Sequence, residues 1–165
     1  MPLMLEGSCR CGAVRFSCDS HTPVPYQRCY CSICRKTAGG GGYAINLGAA
    51  AATLKIEDPE RVIRVFRAEI RQADGACHPS TAECSFCSRC AAALWLFSPE
   101  WPELVHPFAS AVDTELPAVP AVTHMMLRFK PGWVVVDADD GGRRFDLYPE
   151  QSLEEWHREQ GLWID

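Results

Sequence analysis

Ten cysteines in 165 residues, eight of them in three tight clusters, constrain this chain more than any other feature of its sequence. The first cluster is "CRC" (Cys9, Cys11), the second "CYCSIC" (Cys29, Cys31, Cys34) and the third "CSFCSRC" (Cys84, Cys87, Cys90); Cys18 and Cys77 stand apart. Disulfides persist in oxidising compartments, whereas clustered thiolates in a reducing one hold metal. The opening stretch "MPLMLEGSCR" has neither the basic nor the apolar region of a secretory signal. No stretch reaches the roughly 18 apolar residues of a membrane helix. A cytoplasmic location with reduced thiols is therefore expected, and metal rather than disulfides.

A C-x-x-C pair on a tight turn sets two thiolates at about 2.3 Å from one zinc, and a second pair closes the tetrahedron. Eight clustered cysteines could build two four-thiolate sites, or one closed site and one with a free position. Spacing alone does not choose. Either arrangement staples distant parts of the chain together. Composition allows a real core, with 47% hydrophobic and 22% charged residues. The formal charge of −5 argues against a nucleic-acid partner, which calls for a basic patch. No membrane partner is expected.

The chain reads as one mostly-β domain over residues 1–165. Strands are expected at 12–18 ("GAVRFSC"), 43–47, 54–56, 62–68, 93–97 ("ALWLF") and 133–138 ("WVVVDA"), the last two the more buried. The "KPGW" step after Phe129 marks a turn. Residues 47–52, 71–84 and 112–124 read as irregular. Helix evidence is confined to the C-terminal end, where Ser152 and Glu155 form a capping box and Gly161 is a stop signal.

The segments "GSCRCGAVRFSC", "CYCSICRKTAGGGGYAIN" and "FCSRCAAALW" resemble the glutathione-dependent formaldehyde-activating enzyme family, which also contains centromere protein V. Order and spacing match over residues 7 to 97, and "KPGW" with "DGGRRFDLYPE" is similar to the family's weaker tail. The resemblance implies a small zinc-stapled twisted β-sheet domain of the β-tent type, with zinc at two per chain. Cys9, Cys11, Cys87 and Cys90 would hold a closed structural zinc. Cys29, Cys31 and Cys34 would hold a second zinc with an open position, the working centre for glutathione and its formaldehyde adduct. The implied activity is that of an S-(hydroxymethyl)glutathione synthase, a carbon–sulfur lyase acting on a small thiol and a small aldehyde. Two departures stand out: Ala91 replaces the family's glycine after the last ligand, and Cys84 is an extra cysteine. A glycine at that point often serves a left-handed backbone.

Each element also has a plainer reading. Cys29, Cys31 and Cys34 could be closed by Cys84, Cys77 or a histidine, in which case both zincs only build a scaffold for a non-catalytic binding module. Arg28, Arg35 and Lys36 flank the second cluster, and Arg35 with Lys36 could receive glutathione's carboxylates or simply face solvent. The "GGGG" run (39–42) is either a backbone nest for an anion or a flexible loop. Cys18 is expected as a small buried apolar residue, and Cys77–His78 as a chance surface pair. His21, His106, His124 and His157 lack partner spacing and read as structural or exposed. Trp95, Trp101 and Trp133 are expected in or at the edge of the core.

Overall fold

The computed structural model describes residues 1–165 and is built mostly from short strands. β1 (Leu3–Ser8) and β2 (Arg15–Ser20) pair as an antiparallel hairpin, with Leu5, Phe16 and Cys18 turned inward by the period-two alternation. β3 (Gln27–Cys29) leads into helix α1 (Ser32–Thr37), then β4 (Ala44–Ile45) and β5 (Ala49–Ala50). The middle of the chain supplies β6 (Lys55–Glu57), β7 (Ile63–Phe66), β8 (Glu69–Arg71), β9 (Cys77–Pro79), β10 (Glu83–Cys87), β11 (Ala93–Phe97) and β12 (Leu104–Pro107). β13 (Thr123–Met125), β14 (Arg143–Arg144) and helix α2 (Leu153–Glu159) complete it. They assemble as β1-β2-β6, as β5-β12-β11-β10-β7, as β14-β13-β3-β4 and as the small hairpin β8-β9.

The main core lies where the first two sheets meet. Leu5, Val14, Phe16, Leu47, Leu94 and Trp95 bury there, and the Phe16 and Trp95 rings meet edge-on with centroids 5.3 Å apart. Each such side chain contributes about 1.5–3 kcal/mol on leaving water. Cys9 and Cys87 are part of this core, so the first cysteine cluster is fastened to it. A second cluster holds Cys29, Cys34, Ala44, Phe108 and Met125 beneath α1. The third docks α2, whose Trp156 stacks on Tyr26 at 3.5 Å between centroids.

The mostly-β architecture with a short C-terminal helix agrees with the sequence reading, down to the bounds of β11 and the Ser152–Glu155 capping box. Several local expectations are corrected. Residues 133–138 are not a strand. The Val134 N–H closes a turn on Pro131 O (3.1 Å), its own carbonyl accepts from Lys130 Nζ (2.5 Å), and Trp133 and Val135 are exposed. With those backbone groups satisfied locally, no ladder is needed. Trp101 is likewise exposed, and of the three tryptophans only Trp95 is core. Residues 71–84 are not irregular: they carry the β8–β9 hairpin and the start of β10. A second helix, α1, is capped by Cys31 and carries Cys34. No helix is long and apolar enough to cross a membrane.

Candidate metal centres

Cys9 and Cys11 sit in the loop between β1 and β2, Cys87 and Cys90 at the turn between β10 and β11, and their four sulfurs lie within 4.8 Å of one another. Each loop curls back on its first cysteine. Gly12 N–H donates to Cys9 O (3.0 Å) and Val14 N–H to Cys9 Sγ (3.3 Å), while Ala91 N–H donates to Cys87 O (2.8 Å). Zinc–sulfur bonds of about 2.3 Å at tetrahedral angles require sulfurs about 3.8 Å apart. Cys9–Cys11 and Cys11–Cys87 are 3.5 Å and 3.8 Å apart, close to that spacing, so this donor set fits zinc. Ala91 has φ +60°, the left-handed conformation expected where other sequences place glycine.

The second cluster is built by the junction of β3 and α1. Cys29 ends the strand, Cys31 is the N-cap and Cys34 lies in the helix, with all three sulfurs within 4.8 Å. Cys31 has extended backbone (φ −60°, ψ 154°), and its sulfur accepts the Cys34 N–H at 3.3 Å, the part usually played by a serine or aspartate oxygen. Asn46 Nδ2 donates to Cys34 Sγ (3.7 Å). Cys29 and Cys34 are buried and Cys31 half-buried.

Without a cation these three sulfurs share their charge unevenly. Hydrogen bonds from Cys29 and then Cys34 pull Cys31 down to about 3. Cys29 is pushed up to about 12, first by its bond to Cys31, and Cys34 is raised by its bonds to both partners and by burial. One negative charge fits here unaided and three do not. A thiophilic divalent cation relieves that conflict, so this donor set too fits zinc.

Cys84 does not join the second cluster. It is buried in β10 against Thr37 at the far end of α1, where burial raises its thiol. Cys77 is exposed beside an exposed His78 in the β8–β9 hairpin, and Cys18 is sealed in the main core with its thiol at about 12. The three-sulfur group therefore has no fourth ligand among the chain's cysteines, histidines and carboxylates.

Of the flanking cations, Arg35 and Lys36 line a cavity of about 680 Å³ together with Arg10, Asp113, Gly39 and Gly40. Arg28 instead lies over the Tyr43 ring, 4.8 Å from its centroid. Only two buried side-chain polar atoms in the chain lack a partner, Arg35 Nε and Asn46 Oδ1, and both belong to residues around the second cluster. Cys9 of the first cluster lines the same cavity, whereas the second cluster borders it only through Arg35 and Lys36, the residues that follow Cys34.

Residues 4–127 match the sequence family described as glutathione-dependent formaldehyde-activating enzyme. A Halomonas elongata protein provisionally named glutathione-dependent formaldehyde-activating enzyme is 55% identical over 97% of this chain and 98% of its own. The chain belongs to the glutathione-dependent formaldehyde-activating enzyme family. A crystal structure of a Rhodobacter sphaeroides protein shares the fold at a TM-score of 0.50 and 22% identity, covering 68% of this chain and 91% of that one.

Within this formaldehyde-activating family fold, seven cysteines fall into two groups that could hold a metal ion, Cys9, Cys11, Cys87 and Cys90 in one and Cys29, Cys31 and Cys34 in the other. Sequence reasoning missed Asn46 and Asp113, which no local spacing links to the cysteines, and Arg10, which sits between Cys9 and Cys11 but was not singled out. It also missed Tyr148, whose phenol is pushed up by partial desolvation and then by the charges of Cys29, Cys31 and Cys34. His124 read as an isolated residue, yet it bonds to both Tyr30 and Asp140.

Proposed function

We propose that this protein joins glutathione to formaldehyde, acting as an S-(hydroxymethyl)glutathione synthase of the carbon–sulfur lyase class. The observation that carries the reading is the three-sulfur group at Cys29, Cys31 and Cys34, one ligand short of a tetrahedron, on the same short helix as Arg35 and Lys36, which line a cavity and form no ion pair. The family's description and the name of the Halomonas relative support glutathione and formaldehyde as the substrates.

In this reading Cys9, Cys11, Cys87 and Cys90 hold a structural zinc, and Cys29, Cys31 and Cys34 a working one. Bound there, zinc would supply the charge that keeps the three sulfurs ionised and would stabilise a fourth, substrate thiolate. Three thiolates leave a net charge of −1 and make a poor Lewis acid, so polarising formaldehyde or activating water is not the role assigned. Arg35 and Lys36 receive the carboxylates of glutathione, and their charge offsets the −2 of a four-thiolate centre. With the thiolate held, its sulfur lone pair forms the bond to the formaldehyde carbon. The carbonyl π pair moves to oxygen, which takes a proton, and no other bond breaks.

The test is adduct formation between glutathione and formaldehyde, followed by exchange-resolved NMR against the spontaneous rate. The reading predicts acceleration by the wild type, loss of acceleration in Cys31→Ser, and a raised KM for glutathione in Arg35→Ala with Lys36→Ala. A spontaneous rate with wild-type protein carrying two zincs would overturn it and leave a non-catalytic, zinc-stabilised binding module.

A further inference from the structure

A buried polar chain crosses the sheet behind the second cluster, in a molecule whose other interior contacts are mostly apolar. Tyr30, the residue between ligands Cys29 and Cys31, is 1% exposed, and its hydroxyl lies 2.8 Å from His124 Nδ1. His124 is also 1% exposed, and its Nε2 lies 2.7 Å from Asp140 Oδ2. Asp140 is fixed in turn by the Gly142 N–H and by Arg144 Nη2, each 2.9 Å from Oδ1. These donors, the Gly142 N–H foremost, hold the Asp140 carboxyl down at about 2, so it is an acceptor. Asp140 Oδ2 therefore accepts from His124 Nε2, and Nδ1 faces the Tyr30 hydroxyl.

The chain closes tightly around this line. A Cβ at Gly142 would sit 2.6 Å from Val122 O, 2.9 Å from Asp140 Oδ1 and 3.2 Å from His124 Cδ2. The backbone repeats the link, since Tyr30 N–H donates to Met125 O (3.1 Å) and Met125 lies opposite Cys29 across the β3–β13 pair. Met125 also packs against Cys29 and Cys34. An apolar pair could fill the volume of Tyr30 and His124 without the desolvation cost of a buried hydroxyl and imidazole. What the polar line adds is direction: it fixes the orientation of the one residue that joins two ligands.

We propose that Tyr30, His124 and Asp140 form a positioning relay that sets the bite of Cys29 and Cys31 on the metal of the second centre. Partners that orient ligands without touching the metal typically change its affinity by about 10–100-fold when removed. The relay is specific in direction, because each His124 nitrogen has one partner. His124→Asn places an oxygen near the Nδ1 position and retains the Tyr30 link, whereas His124→Gln reaches toward Asp140 and abandons Tyr30.

The experiment is zinc competition with a chromophoric chelator on the full chain. Cys31→Ser identifies which of the two release steps belongs to the second centre. Tyr30→Phe and His124→Gln should weaken that step by about 10–100-fold and leave the other unchanged. His124→Asn should restore it to within a few-fold of wild type. Tyr30→Phe removes a single oxygen and serves if the histidine variants do not fold. Wild-type affinity at the second step in Tyr30→Phe and His124→Gln would overturn the proposal, as would equal weakening of both steps, which is general loosening. The inference rests on Cys29, Cys31 and Cys34 holding metal. If Cys31→Ser loses no zinc, that reading fails, whereas loss in Cys31→Ser but not in Tyr30→Phe sinks the relay alone.

Discussion

Ala91 carries a side chain where the backbone favours glycine, and that backbone supports a quantitative prediction. Its φ of +60° places it in the left-handed region, directly after the ligand Cys90, where its N–H bonds to Cys87 O. A residue with a Cβ costs about 1–2 kcal/mol there relative to right-handed backbone. Glycine removes most of that strain but adds about 0.5–1 kcal/mol of unfolded-state entropy to be lost on folding. Ala91→Gly should therefore stabilise the protein by about 0.5–1 kcal/mol. At about 2–4 °C per kcal/mol for a chain of this size, the melting temperature should rise by roughly 1–4 °C. The measurement is thermal unfolding of the zinc-loaded proteins at equal metal content. A fall in melting temperature would refute the reasoning, because it would mean that the turn in solution is not left-handed.

Three further outcomes follow from particular contacts. Ser152→Ala removes one arm of the capping box, in which Ser152 Oγ accepts from Glu155 N–H (3.2 Å), and leaves the backbone arm from Ser152 N–H to Glu155 Oε2 (2.8 Å). It should lower stability by about 1 kcal/mol in urea unfolding with an unchanged m-value. Asp140, ordinarily near 3.8 and held at about 2 in the fold, contributes stability that is present above the higher value and lost as pH falls through the lower. The gap in melting temperature between wild type and Asp140→Asn should thus narrow as pH falls from about 4 to about 2. Cys84→Ala should keep two zincs per chain by elemental analysis, at a cost of about 1 kcal/mol for the buried sulfur.

How much of this was legible in the sequence depended on whether the signal was local. The capping box at Ser152 announces itself within a few residues and is placed as read, and the alternation read at 12–18 becomes β2 at Arg15–Ser20, displaced toward the C-terminus. The cysteine clusters were legible as metal motifs, but their division came from the family resemblance. It is the packing of the β1–β2 sheet on the β10–β11 sheet around one core that brings Cys9 and Cys11 to Cys87 and Cys90. Helix α1 is six residues long, under two turns, too short to show a hydrophobic period. Its start is capped by a sulfur, which no capping rule looks for. The Asp74–Gly75 step was a readable hairpin signal that the irregular reading of 71–84 passed over. The "WVVV" run misled in the other direction, since apolar composition alone does not supply a strand with a partner. The Tyr30–His124–Asp140 line could not be seen at all, because parallel pairing of β3 with β13 joins residues with no spacing in common.

The central claim is that Cys29, Cys31 and Cys34 leave one metal position for a substrate thiolate. Cobalt substitution tests it most directly, because thiolate-to-cobalt charge-transfer absorption counts sulfurs on the metal. Protein loaded with two cobalt ions per chain should gain intensity in that band on addition of millimolar glutathione, and the gain should vanish in Cys31→Ser. A spectrum unchanged by glutathione, with both centres loaded, would contradict the account.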